Sequence, residues 1–355
     1  MYIMSGDEIV VKYDKETYEY TVIDESKAPI YIVNRGDILS WISDRAIDGS
    51  RGNSRSVKRE FGLSRTADDV QTVLSVHGAA ITDNYWIKDE EDDLQYKDVK
   101  FYKNDYFALA LNSDISGLPL GRSHNPELTN IGSREKGWLL EDGKWWLYKN
   151  QPVAENFSEY FAYALGNLLG FDMAKYELVD DGRYIKSLDF TEQKYNLQHI
   201  DCIVQDHYVD GKLVTEDDLQ YNYETLLDID EKLGQEFVNI IIMDAIVENG
   251  DRHIKNYGVL TDRQTGEIAS MAPNYDNNQC LFYNTGFLDI KRESGYFKYV
   301  LQFIRNNDIS CEFEIKEDEL RNIIQKVGVE SSYSFDSDAL YAFIAAGIEK
   351  CAVCG

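Results

Sequence analysis

Basic residues are scarce in this sequence. Its 355 residues carry 36 Lys and Arg against 63 Asp and Glu, a net charge of −27, with a pI near 4.5. That balance is against direct nucleic-acid binding, which needs a basic face to displace counterions, and against docking on an anionic membrane. Proline is rarer still, at 5 residues, and 24 glycines leave little room for long disordered linkers. Nowhere do 18 apolar residues run together; the strongest stretch, residues 240–243, is bounded by Asn239 and Asp244, so no membrane span is expected. Near the start, Asp7 and Glu8 stand where a secretory signal would place basic residues. The five cysteines are scattered, and only Cys351 and Cys354 form a C-x-x-C without the second pair that a structural zinc needs. Reduced thiols and a cytoplasmic location are the expectation. A Gly-x-Gly-x-x-Gly loop and a Gly-x₄-Gly-Lys-Ser/Thr loop are both missing, which excludes a P-loop nucleotidase and tells against a conventional protein kinase.

What is present is enough to fold. Hydrophobic residues make up 43% of the chain and aromatics 13%. At roughly 150 residues per domain the length suggests two or three domains. Residues 1–115 read as an α/β accessory region. Val10-Val11, residues 18–23 and residues 30–33 look like short strands, and residues 38–46 and 66–76 show helical spacing, with Asp68, Asp69 and Gln71 suiting a helix start. The acidic run 89–93 reads as a solvated loop, with a docking site for a basic partner as its rival. Residues 116–190 change texture. Asp142-Gly143 between two apolar runs predicts a hairpin, residues 157–169 predict a helix stopped by Gly170, and Asp180-Asp181-Gly182 predicts a second hairpin. Residues 191–355 read as a mostly helical body, with helices over 236–248, 315–327 and 336–351 and a hairpin turning at 262–266.

The informative stretch is Asn249-Gly250-Asp251-Arg252-His253-Ile254-Lys255-Asn256-Tyr257-Gly258, followed by Ala272-Pro273-Asn274-Tyr275-Asp276. Phosphoryl transfer to a hydroxyl needs a carboxylate near the acceptor and oxygen ligands for Mg²⁺; kinases supply an Asp, an Asn five positions later and a second Asp further on. Asp251, Asn256 and Asp276 have that order and are hard oxygen donors. The bland alternative is a polar loop capped by Asp and Asn for turn geometry. Lys149 ends the first hairpin, where a phosphate-binding Lys belongs. Glu159 sits one turn into the following helix, where it could orient that Lys, with Glu155 as its rival. Without the downstream motif these would read as a surface ion pair of little consequence. Ser187 and Leu188 follow the next strand at the place of an adenine-binding hinge. His253 is either a scaffold of the loop, bonding to backbone and to Asp276, or a direct acid/base, and the scaffold is favoured because Asp251 already fills the base position.

The full string resembles the catalytic loop and metal motif of HipA-like kinases over residues 128–350, and more distantly the Asp-Arg-His loop of phosphoinositide 3/4-kinases. The resemblance implies an α+β, bilobal protein-kinase-like fold with a small β-rich N-lobe and a helical C-lobe, ATP and Mg²⁺ as cofactors, and a serine/threonine protein kinase activity. In that frame Gly132, Ser133 and Lys136 resemble the family's short phosphate loop, with Ser133 a candidate for self-phosphorylation. Residues 41–47 and 84–88 resemble the leader region of short HipA-related proteins of Gram-positive bacteria. The family includes the kinases of toxin–antitoxin pairs, which implies a protein substrate and a basic antitoxin-like partner suited to an acidic chain. A small-molecule or lipid kinase of the same fold, and a non-catalytic kinase-shaped module, are the other readings.

Overall fold

In a computed structural model, residues 1–119, 123–204, 215–281 and 295–353 are described; Gly121 and Cys354 lie outside them. The chain opens with β1 (Tyr2–Ser5), β2 (Glu8–Tyr13) and β3 (Tyr20–Val22). Residues 30–33, expected as a strand, instead begin helix α1 (Ile30–Arg35). The β-branched residues favour extension, but Pro29 at the N-cap sets a helix-compatible start and Gly36, left-handed at φ 69°, closes it after two turns. Helices α2 (Ile38–Ser43), α3 (Ser54–Glu60) and α4 (Asp69–Leu74) follow, α4 opened by a reciprocal capping box between Asp68 and Gln71. Strand β4 (Tyr85–Lys88) returns to pair antiparallel with β1, giving the order β3-β2-β1-β4. Two short helices, α5 (Tyr96–Val99) and α6 (Phe107–Asn112), and a 3₁₀ turn over Pro126–Thr129 lead to the hairpin β5 (Glu135–Glu141) and β6 (Lys144–Asn150). Asp142 and Gly143 both take positive φ, 49° and 77°, as a two-residue hairpin turn requires.

Next come α7 (Val153–Leu169), stopped by left-handed Gly170 as expected, and the second hairpin, β7 (Tyr176–Val179) and β8 (Tyr184–Leu188). The strand order is β5-β6-β8-β7. Strand β9 (Tyr195–His199) belongs to a third sheet, ordered β11-β10-β9 once β10 (Gly258–Asp262) and β11 (Ile268–Met271) are added. Between β9 and β10 run α8 (Glu216–Ile229) and α9 (Glu231–Val247), and the chain closes with α10 (Gly295–Asn306), α11 (Glu317–Ser331) and α12 (Ser337–Val353). Among the described residues no helix is long and apolar enough to cross a membrane.

The residues fall into two compact units. One comprises Met1–Asn150, Lys186–Gln198 and Val259–Ala269; the other comprises Gln151–Ile185, His199–Gly258 and Ser270–Gly355. In the first, Trp86, Tyr106 and Leu109 from the N-terminal region share one core with Leu128, Trp138 and Trp145 of the 3₁₀ turn and hairpin. In the second, α9 is buried nearly all round from Phe237 to Val247, as expected of a central helix.

Candidate active site

The second unit builds its polar centre at the end of α9. Glu248 caps that helix in a left-handed conformation, φ 54°, and the chain reverses into the loop 249–256. Asp244, fully buried in the last turn, pairs with Arg252 through both ends of the guanidinium, at 2.7 Å to Nε and 2.8 Å to Nη2. Burial alone would lower the Arg252 pKa, but the adjacent Asp244 charge outweighs it and the pKa is raised. An ion pair with no exposed face persists only if its remaining donors are satisfied. Arg252 meets that condition by donating to the carbonyls of Asn256 (2.6 Å) and Tyr275 (2.8 Å) and to the amide oxygens of Asn274 (2.9 Å) and Asn277 (3.0 Å).

One buried side chain therefore ties the loop that carries Asp251 and Asn256 to the segment that carries Asp276. Asn249 reinforces the link, donating to Asp244 (3.1 Å) and to Asn277 (3.2 Å), and it accepts the Asp251 N–H at 3.2 Å. Asn256 donates its amide nitrogen to the Asp251 carbonyl at 3.0 Å, which leaves its amide oxygen as the ligand-type atom. His253 accepts the Lys255 N–H on Nδ1 at 3.2 Å, and its carbonyl accepts the Asn256 N–H at 2.7 Å. Those bonds are scaffold contacts to backbone.

The Asp276 segment is anchored from the other side. Asn274 forms an isolated parallel bridge with Met173 and exchanges backbone bonds with Asp172 and Ala174. Asp276 has φ 62°, a strained value for a residue with a side chain, and donates its N–H to the Tyr176 hydroxyl at 3.2 Å. Beyond it, Asn278 donates to Gln151 (3.3 Å) and to Glu155 (3.4 Å), while Gln151 donates to Glu159 at 3.2 Å. Glu159 is fully buried on α7 and Glu155 is half-buried. The Asp276 carboxylate and the Asn256 amide oxygen are hard donors of the kind that could hold Mg²⁺, which keeps waters and phosphate oxygens in its remaining positions.

A model of the HipA-like C-terminal domain matches residues 129–332, more than half of the chain. The chain belongs to the HipA-like kinase family. No curated protein matches it in sequence. Among solved structures, HipA of Shewanella oneidensis MR-1, in a complex with HipB and operator DNA, aligns at TM-score 0.57 and 12% identity, over 99% of this chain and 96% of that one. The proinflammatory kinase CtkA of Helicobacter pylori aligns at TM-score 0.41 and 18% identity, over 61% of this chain and 89% of that one. The α+β HipA-like fold expected from the sequence is the one found.

Within this HipA-like chain, Asp251, His253, Asn256 and Asp276 come together in the second unit, with Glu155 and Glu159 joined to them through Gln151 and Asn278. The remaining expected residues lie in the first unit. Lys136 and Lys149 stand directly opposite each other on β5 and β6, so their side chains share one face of the hairpin. By alternation that face continues as Trp138, Leu147 and Trp145. Gly132 takes φ 109°, and a Cβ there would strike the Lys136 ammonium. Ser133 precedes β5, and Lys136, expected in a loop, is the second residue of that strand. Ser187 and Leu188 end β8, beside β6, and the next residue, Asp189, donates its N–H to the Trp145 carbonyl at 2.9 Å. Sequence reasoning passed over Arg252, Asp244, Asn274 and Asn277. The signal for Arg252 and Asp244 was an Asp in an otherwise apolar helix eight residues before an Arg.

Proposed function

We propose that this HipA-like protein transfers the γ-phosphoryl group of ATP to a Ser or Thr hydroxyl of a protein, its own Ser133 among the candidates. The observation that supports the reading is the Arg252 hub, because it ties the loop that carries Asp251 and Asn256 to the segment that carries Asp276. Positioning of this kind supplies most of the catalysis in phosphoryl transfer. Asp251 orients the acceptor hydroxyl and takes its proton. Asn256 and Asp276 would hold Mg²⁺, which when bound neutralises charge on the phosphates. Lys149 and Lys136, opposite each other on one face of the hairpin, hold the phosphate chain. Of the two acids on α7, Glu159 is the candidate for the lysine-orienting role, which its full burial suits better than the half-buried Glu155. His253 braces the loop, and Ser187 and Leu188 offer backbone to the adenine.

The test is the intact mass of the purified protein after incubation with ATP and Mg²⁺, beside Asp251→Asn. A phosphate-sized gain is expected in the wild type, with the variant slowed by about 10²-fold or more. An Asn variant with wild-type turnover would remove Asp251 from the base position. The solved HipA is in a complex with HipB and DNA; by analogy, and on the net charge of −27, a basic antitoxin-like protein is the partner to seek.

A further inference from the structure

Arg51 lies in the N-terminal region, far in sequence from any residue assigned above, yet it is 1% exposed. Its guanidinium donates from Nε to the Gly132 carbonyl at 3.1 Å and from Nη2 to the Asn130 carbonyl, with the Lys136 carbonyl at 3.5 Å from Nη1. Its counter-charge is Glu127, fully buried and 3.9 Å away. Glu127 in turn accepts from Asn104 (2.6 Å), the Trp138 N–H (2.7 Å) and Asn130 (2.7 Å). The turn that presents Arg51 is set by Asp48, which accepts the Ser50 N–H and hydroxyl, both at 2.7 Å. All of these residues belong to the first unit.

The consequence follows from peptide geometry. In a trans peptide the N–H of one residue points opposite to the carbonyl before it. With the Asn130 and Gly132 carbonyls drawn to one buried guanidinium, the N–H groups of Ile131 and Ser133 are each turned away from it. Backbone amides turned outward from one loop are donors that an anion can accept. We infer that Arg51 is a positioning residue for nucleotide binding: it shapes residues 130–136 so that the Ile131 and Ser133 amides meet the phosphates of ATP. The N-terminal region thereby becomes a working part of the nucleotide site. This rests on reading residues 130–136 as the phosphate loop.

The full-length protein is titrated with the fluorescent nucleotide mant-ATP in Mg²⁺, as wild type, Arg51→Lys and Arg45→Lys. Lysine keeps the charge but cannot span two carbonyls with a planar fork. Arg45 is the control: it is also buried in the same unit, though at 9% exposed rather than 1%, pairs with Asp83 at 2.9 Å and donates to the Gly78 carbonyl rather than to residues 130–136. Arg51→Lys is expected to raise the Kd about tenfold, the loss of a charged hydrogen bond, while Arg45→Lys stays within about twofold even if both lower the melting temperature. Equal shifts in the two variants, or none in Arg51→Lys, overturn the inference while the nucleotide reading stands. A wild type that does not bind mant-ATP overturns that reading and the inference with it. If Arg51→Lys does not fold, Asp48→Ala at the half-buried turn replaces it. A rise of about threefold is then expected, and an unchanged Kd overturns the inference.

Discussion

Two buried arginines organise the two units, and they do so differently. Arg252 meets Asp244 head-on, with both ends of the fork within 2.8 Å of the carboxylate. Arg51 stands 3.9 Å from Glu127 and makes its short bonds to backbone carbonyls, whereas Arg252 adds its carbonyl bonds to a direct pair. The electrostatics diverge accordingly. The Arg252 pKa is raised because Asp244 outweighs burial, whereas burial dominates at Arg51 and lowers it, and burial pushes the Glu127 carboxyl up. A direct pair fixes side chains to one another. A pair routed through carbonyls fixes the backbone between its partners, and that backbone is the loop.

The contrast predicts a hierarchy. Arg252→Met leaves Asp244 buried and uncompensated, so a loss of about 3–5 kcal/mol is expected in urea unfolding. Arg51→Met should cost less, about 1–3 kcal/mol, since Glu127 keeps its three hydrogen-bond donors. Equal losses would dissolve the distinction between the two arginines. Gly132→Ala forces a side chain into φ 109° and displaces the Lys136 ammonium. It should cost about 1–2 kcal/mol and weaken mant-ATP binding by more than the change in melting temperature alone would suggest. The smallest effect is in pH dependence. With the Glu127 pKa raised above its ordinary 4.5, the folded state holds a proton that the unfolded state has released, so stability falls as pH rises through that window. Glu127→Gln should be less stable overall yet lack this fall, read from urea midpoints measured upward from pH 4.5.

Local signals in the sequence were legible and non-local ones were not. The β5–β6 hairpin was visible in Asp142-Gly143, α7 in its apolar stripe and Gly170, and α4 in its cap, because each signal lies within one element. Strands β1, β4 and β9 went unread: they are four or five residues long, and β1, besides its hairpin with β2, pairs with β4 some 80 residues on. Helix α8 buries only Asp218, Leu219, Asn222 and Leu226, too few apolar positions for a clear period, whereas the Phe297, Val300, Phe303 and Ile304 spacing of α10 was there to be seen. At the candidate site, the contiguous motif gave Asp251, Asn256 and Asp276. Arg51 carried no such signal, because its loop partners lie 79 to 85 residues away and nothing short of the folded backbone brings them near.

The pairing of Lys136 with Lys149 makes the distant Asp142-Gly143 turn a length gauge. Side chains alternate faces along a strand, so slipping β6 by a single residue would send one lysine through to the opposite surface while leaving every backbone bond available. A one-residue insertion in the turn, roughly 20 Å from the lysines, would therefore split the cation pair without touching either of its members.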